Sequence, residues 1–183
     1  MLYVSTRGKT DLVSSAHAIT RGLAGDGGLF VPQNIPAMRM VDIKAMEHKP
    51  YTERAIDVLL QYLTDFSEDE LRECVNAAYA KDKFGDNPVP LVQVNENTGV
   101  LELWHCPTSA FKDMALQLLP HLLTRSMNKT GETNKVVILV ATSGDTGKAA
   151  LEGFADVEGT QIIAAPADLQ KATRATVVPL IFA

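Results

Sequence analysis

Val136-Val137-Ile138-Leu139-Val140 is five apolar residues without a polar interruption. A run of that kind is typical of a strand buried on both faces in a parallel sheet. It leads into the glycine-rich turn Ser143-Gly144-Asp145-Thr146-Gly147, then a helical stretch from Lys148 to Ala155, then a second apolar run, Ile162-Ile163-Ala164-Ala165. Strand, turn, helix and strand make a βαβ unit, which places the chain in the α/β class.

The residues before this unit read as a mixture of helices and short strands. Leu2 to Thr6 alternates enough for a strand, and Asp26-Gly27-Gly28 turns into the extended Leu29-Phe30-Val31-Pro32. A helix over about Thr52 to Leu63 puts Ile56, Leu59, Leu60 and Leu63 on one face. Ser67 and Glu70 have capping-box spacing ahead of a helix carrying Leu71, Val75, Ala78 and Tyr79, which ends near Lys83 to Gly85. Asp86-Asn87-Pro88-Val89-Pro90 is a boundary, because its prolines disfavour helix on either side. Leu91 to Val94 and Val100 to Trp104 flank a glycine-ended loop and predict a hairpin. A helix is expected from Ala110 to Met127, with Phe111, Ala115, Leu118, Leu119 and Leu122 on its apolar face and Pro120 kinking or shortening it. No internal repeat or low-complexity segment is present.

Composition narrows the function classes. A net charge of −5 over 183 residues, with no long basic run, argues against nucleic acid as the main partner. Charged residues interrupt the first thirty positions too often for a signal peptide, and no stretch approaches the roughly 20 apolar residues that span a bilayer. Cys74 and Cys106 are too far apart for a metal knuckle and are expected to be reduced thiols, which makes the cytoplasm the default location. His17, His48, His105 and His121 show no ligand spacing, so no metal site is expected. Asp69, Glu70 and Glu73 read as a solvated face near a helix start, where negative charge is favourable.

Two segments could carry chemistry. In Pro107-Thr108-Ser109-Ala110-Phe111-Lys112-Asp113-Met114-Ala115, Lys112 opens an apolar helix. Desolvation among Phe111, Met114 and Ala115 would favour its neutral amine, the form that makes a Schiff base. The alternative is a solvated lysine or one paired with Asp113. The second segment, Ser143 to Gly147, lies between a buried strand and a helix, where open α/β sheets bind ligands and free N–H groups meet anions. Alternatively, Asp145 or Thr146 is a cap and the glycines serve only the turn. A nucleotide P-loop is excluded: Thr142 stands where its first glycine is needed, and Ala149 where a hydroxyl should bind magnesium.

Together these segments resemble the threonine synthases. Pro107 to Asp113 is similar to that family's signature around its cofactor lysine, and Thr142-Ser143-Gly144-Asp145-Thr146-Gly147 to its next motif. Tyr3-Val4-Ser5-Thr6-Arg7-Gly8 and Asp26-Gly27-Gly28-Leu29-Phe30-Val31-Pro32 resemble the small leading domain that related serine dehydratases and cysteine synthases lack. The likeness runs from about residue 2 to about residue 163. It implies a fold-type-II enzyme, a carbon–oxygen lyase using pyridoxal phosphate to convert O-phospho-L-homoserine and water into L-threonine and phosphate. Lys112 would hold the cofactor and shuttle protons. Ser143, Gly144, Asp145, Thr146 and Gly147 would face the cofactor and substrate.

The same resemblance divides the chain into a small α+β domain at 1–88, the start of the catalytic parallel-sheet domain at 89–163, and a divergent tail at 164–183. The family's glycine-rich loop for the cofactor phosphate is not found. The tail departs from the family pattern, which suggests a frameshift or truncation. With only the start of a sheet, the 136–140 strand would lack neighbours and leave apolar surface. Two other readings follow: a non-catalytic remnant of the family that does not bind the cofactor productively, and an unrelated α/β module binding an anion at Gly144 to Gly147.

Overall fold

A computed structural model describes residues 1–141 and 144–165. The chain begins with β1 (Leu2–Ser5), which pairs antiparallel with β2 (Val13–Ser14) on one side and β3 (Phe30–Pro32) on the other. Asp26 organises the turn before β3. Its carboxylate accepts from the Ser5 hydroxyl at 2.6 Å, the Gly28 amide at 2.9 Å and the Lys9 amide at 3.0 Å. Glycine suits position 28, because a Cβ there would lie 2.1 Å from the Ser5 hydroxyl oxygen and displace it from Asp26.

Two helices appear that the sequence pattern did not disclose. The first, α1 (Ser15–Arg21), is anchored from a distance: the Asp65 carboxylate accepts from the Ser15 hydroxyl and, at 2.9 Å, from the Ala16 amide. The second, α2 (Met40–Ala45), buries no residue, and its apolar Met40, Val41 and Ile43 are exposed.

The helical core follows from amphipathic spacing. In α3 (Tyr51–Tyr62) and α4 (Glu68–Ala78), the faces read from the sequence point inward, and Leu71, Val75 and Ala78 are fully buried. The expected capping box is present: the Ser67 hydroxyl accepts from the Glu70 amide at 3.2 Å, and the Glu70 carboxylate accepts from the Ser67 amide at 2.8 Å. The helix after Ser67 stops at Ala78 and resumes as the single turn α5 (Lys81–Phe84). Tyr79, at the break, stacks edge-on against Tyr51 and Phe84 and donates its hydroxyl to the Met114 carbonyl at 2.6 Å.

The hairpin forms as expected from β4 (Leu91–Asn95) and β5 (Thr98–Leu101), with a register shift between Gln93 and Asn95. Its second strand stops before Trp104, which lies exposed in the following loop. The helix anticipated from Ala110 to Met127 is two: α6 (Asp113–Leu116) and α7 (Leu119–Thr130). Pro120 sits in the first turn of α7, where its missing N–H costs least, so it starts a new helix instead of kinking a long one.

α7 packs on α4 and α1. Leu122 joins Ala16, Leu63, Phe66, Leu71 and Cys74 in one cluster. Glu70 pairs with Lys129 at 2.7 Å and Glu73 with Arg125, so these acids, expected on a purely solvated face, tie α4 to α7.

The βαβ unit is β6 (Val136–Ala141), α8 (Asp145–Gly153) and β7 (Thr160–Ala165), with β6 and β7 parallel in register from Val136 opposite Thr160 to Ala141 opposite Ala165. β6 is buried on one face, not two. Ile138 packs with Leu123, Met127 and Phe154, while Val137 and Ile163 on the other face are exposed. Among the described residues only β7 pairs with β6. The divergent tail expected from residue 164 lies, beyond Ala165, outside the described residues. No helix among the described residues is long and apolar enough to cross a membrane.

Candidate functional site

The segment around Lys112 is a closed loop built on one buried carboxylate. Asp113, the first residue of α6, is completely inaccessible to solvent. It accepts from the Thr108 amide at 2.7 Å, and the Thr108 hydroxyl lies 2.9 Å from both of its oxygens. A buried carboxylate is costly unless hydrogen-bonded, and here the bonds come from the loop it closes. Cys106 completes the lining, with its thiol 3.2 Å from the Ala110 carbonyl. Burial pushes that thiol up to about 11, and the Asp113 carboxylate beside it adds to the shift. Cys74 and Cys106 are both free and buried.

Within this loop Ser109 has a φ of 57°, the left-handed region that non-glycine residues avoid. Backbone strain of this kind costs on the order of 1–3 kcal/mol and persists where surrounding bonds enforce it. The Thr108–Asp113 clamp is such an enforcement.

Lys112 stands just ahead of α6, in helical geometry and half-buried. Its environment differs from the enclosed apolar setting expected: Phe111 is 63% exposed and Ala115 is exposed, leaving Met114 as the partly buried neighbour. Phe111 precedes α6 and lies outside the helix, so it is not on the helix's inward face. The ammonium lies 5.2 Å from the centre of the Phe111 ring. Pairing with Asp113 is also overturned, since that carboxylate faces Thr108. Among the described residues, Lys112 has no carboxylate partner.

The second segment is also rearranged. α8 begins at Asp145, three residues before the expected start, so Asp145, Thr146 and Gly147 form its first turn and Gly144 its cap. Asp145 is exposed, Thr146 half-buried and Gly147 buried. Ser143 and the preceding Thr142 lie outside the described residues.

The fold brings the two segments together. Leu116 of α6 packs with Ala149 and Ala150 of α8. Gly153 allows the close approach, because a Cβ there would come 2.1 Å from the Leu116 carbonyl oxygen. That carbonyl lies four residues before Pro120 and so lacks the usual helical N–H. Lys148 adds a polar link, donating to the Thr108 carbonyl at 3.1 Å across 40 residues of sequence. Sequence reasoning missed Lys148, and no local signal pointed to it. Asp113 and Thr108 were visible in the motif, but their five-residue spacing carries no recognised pattern.

A cleft of about 1160 Å³ lies elsewhere, lined by Glu73, His121, Arg125, Glu132, Lys135 and Asp156 among others, and touches neither Lys112 nor residues 144–147. Burial, with Lys83 nearby, holds the His121 imidazole below its ordinary value. No group of potential metal ligands occurs among the described residues.

Comparison with known proteins bears on the chain as a whole. Residues 2–79 match the family described as threonine synthase N terminus. Threonine synthase of Pseudomonas aeruginosa is 43% identical over 155 residues, covering 84% of this chain and 32% of that protein. The Schizosaccharomyces pombe threonine synthase is 40% identical over 160 residues, covering 83% of this chain and 31% of that protein. A crystal structure of pyridoxal-phosphate-bound threonine synthase from Brucella melitensis superposes with a TM-score of 0.83 at 39% identity, over 90% of this chain and 35% of the other. The chain thus spans about a third of the length of these relatives. Over that third, in sequence and in fold, it belongs to the threonine synthase family.

Proposed function

We propose that this chain carries the cofactor lysine of a threonine synthase, with Lys112 holding pyridoxal phosphate and the Ser143–Gly147 segment facing it. The reaction served is the conversion of O-phospho-L-homoserine and water to L-threonine and phosphate. On this reading residues 89–163 begin the catalytic domain and residues 1–88 form the leading one.

The observation that carries the proposal is the separation of Lys112 from Asp113. A lysine next to an aspartate in sequence would ordinarily pair with it. Here the carboxylate is buried under Thr108, and the amine is left with no acid partner among the described residues. An amine that must react with a carbonyl benefits from that arrangement. The free amine supports this reading, as does the pyridoxal phosphate bound in the similar Brucella melitensis structure.

Bound pyridoxal phosphate supplies an electron sink that eases loss of protons from substrate carbons. The protein's part is positional. Lys112 would hold the cofactor and would take and return a proton at the substrate α carbon. Asp113 would keep the loop beside it closed through its bonds to Thr108. Ser143 and Thr146 offer hydroxyls, and the α8 start offers backbone N–H groups, to whatever faces them.

The test is to load the purified chain with pyridoxal phosphate, dialyse, reduce with borohydride and map the labelled peptide. The expected result is a retained absorbance band with the label on Lys112, both lost in Lys112→Arg. Labelling scattered over many lysines, or no retained band, would overturn the proposal in favour of a family member that holds no cofactor.

A further inference from the structure

Lys148 lies one residue beyond the Ser143–Gly147 segment, on the exposed surface of α8, yet its ammonium is committed to the Thr108 carbonyl at 3.1 Å. Holding a long flexible side chain in one place costs rotamer entropy, and a surface lysine without a specific partner stays solvated. Its acceptor is not an arbitrary carbonyl. Thr108 is the residue whose amide and hydroxyl close the loop on Asp113, and the strained Ser109 follows it directly. The chain of contacts runs from α8 through Lys148 to Thr108, then to Asp113, and so to the neighbour of Lys112.

The apolar contact of Leu116 with Ala149 and Ala150 sets how α6 and α8 pack as bodies. It does not fix the loop that precedes α6. The only described polar bond from α8 to that loop is the one made by Lys148. We propose that Lys148 is a positioning residue. Its ammonium fixes the Thr108–Asp113 loop against the start of α8, so that Lys112 and the Gly144–Gly147 turn meet one ligand as a unit. This rests on the reading of Lys112 as the cofactor lysine.

The experiment is amide hydrogen exchange on the full chain without cofactor, comparing wild type, Lys148→Met and Lys148→Arg. The informative amides are those of Ser109, Asp113 and Met114, which donate to the Cys106, Ala110 and Phe111 carbonyls. In Lys148→Met they should exchange about tenfold faster, the scale of losing one charge-assisted hydrogen bond, while amides of α3 and α4 keep their rates. Lys148→Arg, which can still donate, should restore the wild-type pattern. Borohydride labelling at limiting pyridoxal phosphate should show the matching drop at Lys112 in Lys148→Met alone.

Unchanged loop exchange in Lys148→Met overturns the proposal. So does acceleration spread evenly over the chain, which would make Lys148 a general structural contact. Faster loop exchange with undiminished Lys112 labelling would also overturn it, because the tether would then have no bearing on the ligand. If wild type itself fails to label at Lys112, the cofactor reading falls and takes the ligand part with it. The mechanical tether would then be judged by exchange alone.

Discussion

The helical core and the β4–β5 hairpin are both rich in large apolar residues, yet they have opposite fates. In α4, Leu71 and Val75 are completely buried between α3 and α7. In the hairpin every residue is exposed, with Leu91 at 68% and Val94 at 63%. The difference is one of layers. An amphipathic helix needs a single partner face, and α4 finds it in helices close by in sequence. A two-stranded hairpin with apolar residues on both sides needs a covering layer on each, and the described residues supply neither. The open face of β6 and β7 is a milder case, because α7 and α8 cover its other side.

The sharpest way to break this comparison is a matched pair of truncations. Leu71→Ala should destabilise the chain by about 3 kcal/mol in urea unfolding, since it leaves a cavity among Phe66, Cys74 and Leu122. Leu91→Ala, the same chemical change on the hairpin, should stay within about 0.5 kcal/mol. Similar losses in both would mean that Leu91 is covered in solution, and the contrast between the two regions would disappear.

A smaller effect is expected at the helix start. Ser67→Ala removes the hydroxyl that accepts from the Glu70 amide and should cost about 1 kcal/mol in the same assay. It tests whether the core's stability includes local capping as well as burial. A negligible loss would assign the stability to the apolar face alone.

What was legible in the sequence divides along the same physical line. The faces of α3 and α4, the capping box, the hairpin and the βαβ unit are encoded by neighbours within a few residues, and each was readable. α1 was not, because its anchor is Asp65, 49 residues from Ala16. α2 was not: its Met40, Val41 and Ile43 pack into no core, so no inward face marks it. Burial of β6 was overestimated, since an apolar run reports what a strand could bury and not which layers are present to bury it. At the candidate site, the resemblance marked Lys112 and the 143–147 segment. The position of Asp113 under Thr108 and the reach of Lys148 are three-dimensional facts with no local signature. The early start of α8 follows from Gly144 acting as its cap, a role that Asp145 or Thr146 could have filled equally well on sequence grounds.

The smallest expected effect is a pH dependence confined to the α4–α7 contact. Burial works against ionisation of Glu70, but the Lys129 ammonium and the Ser67 amide and hydroxyl outweigh it and hold the carboxyl below its ordinary value. A folded pKa below the unfolded one means that the contribution is present above the unfolded value, about 4.3, and is lost as pH falls through the lower folded value. The pair is partly exposed, so solvent screens it and the effect should be a few tenths of a kcal/mol. Glu70→Gln should accordingly flatten the acid limb of a stability–pH curve measured by urea unfolding between neutral pH and pH about 3. Above the unfolded value the variant should be slightly less stable than wild type, and the two curves should converge at the acid end. If the acid limbs coincide throughout, the ion pair between α4 and α7 contributes nothing that folding can sense. The core would then differ from the hairpin by apolar burial alone.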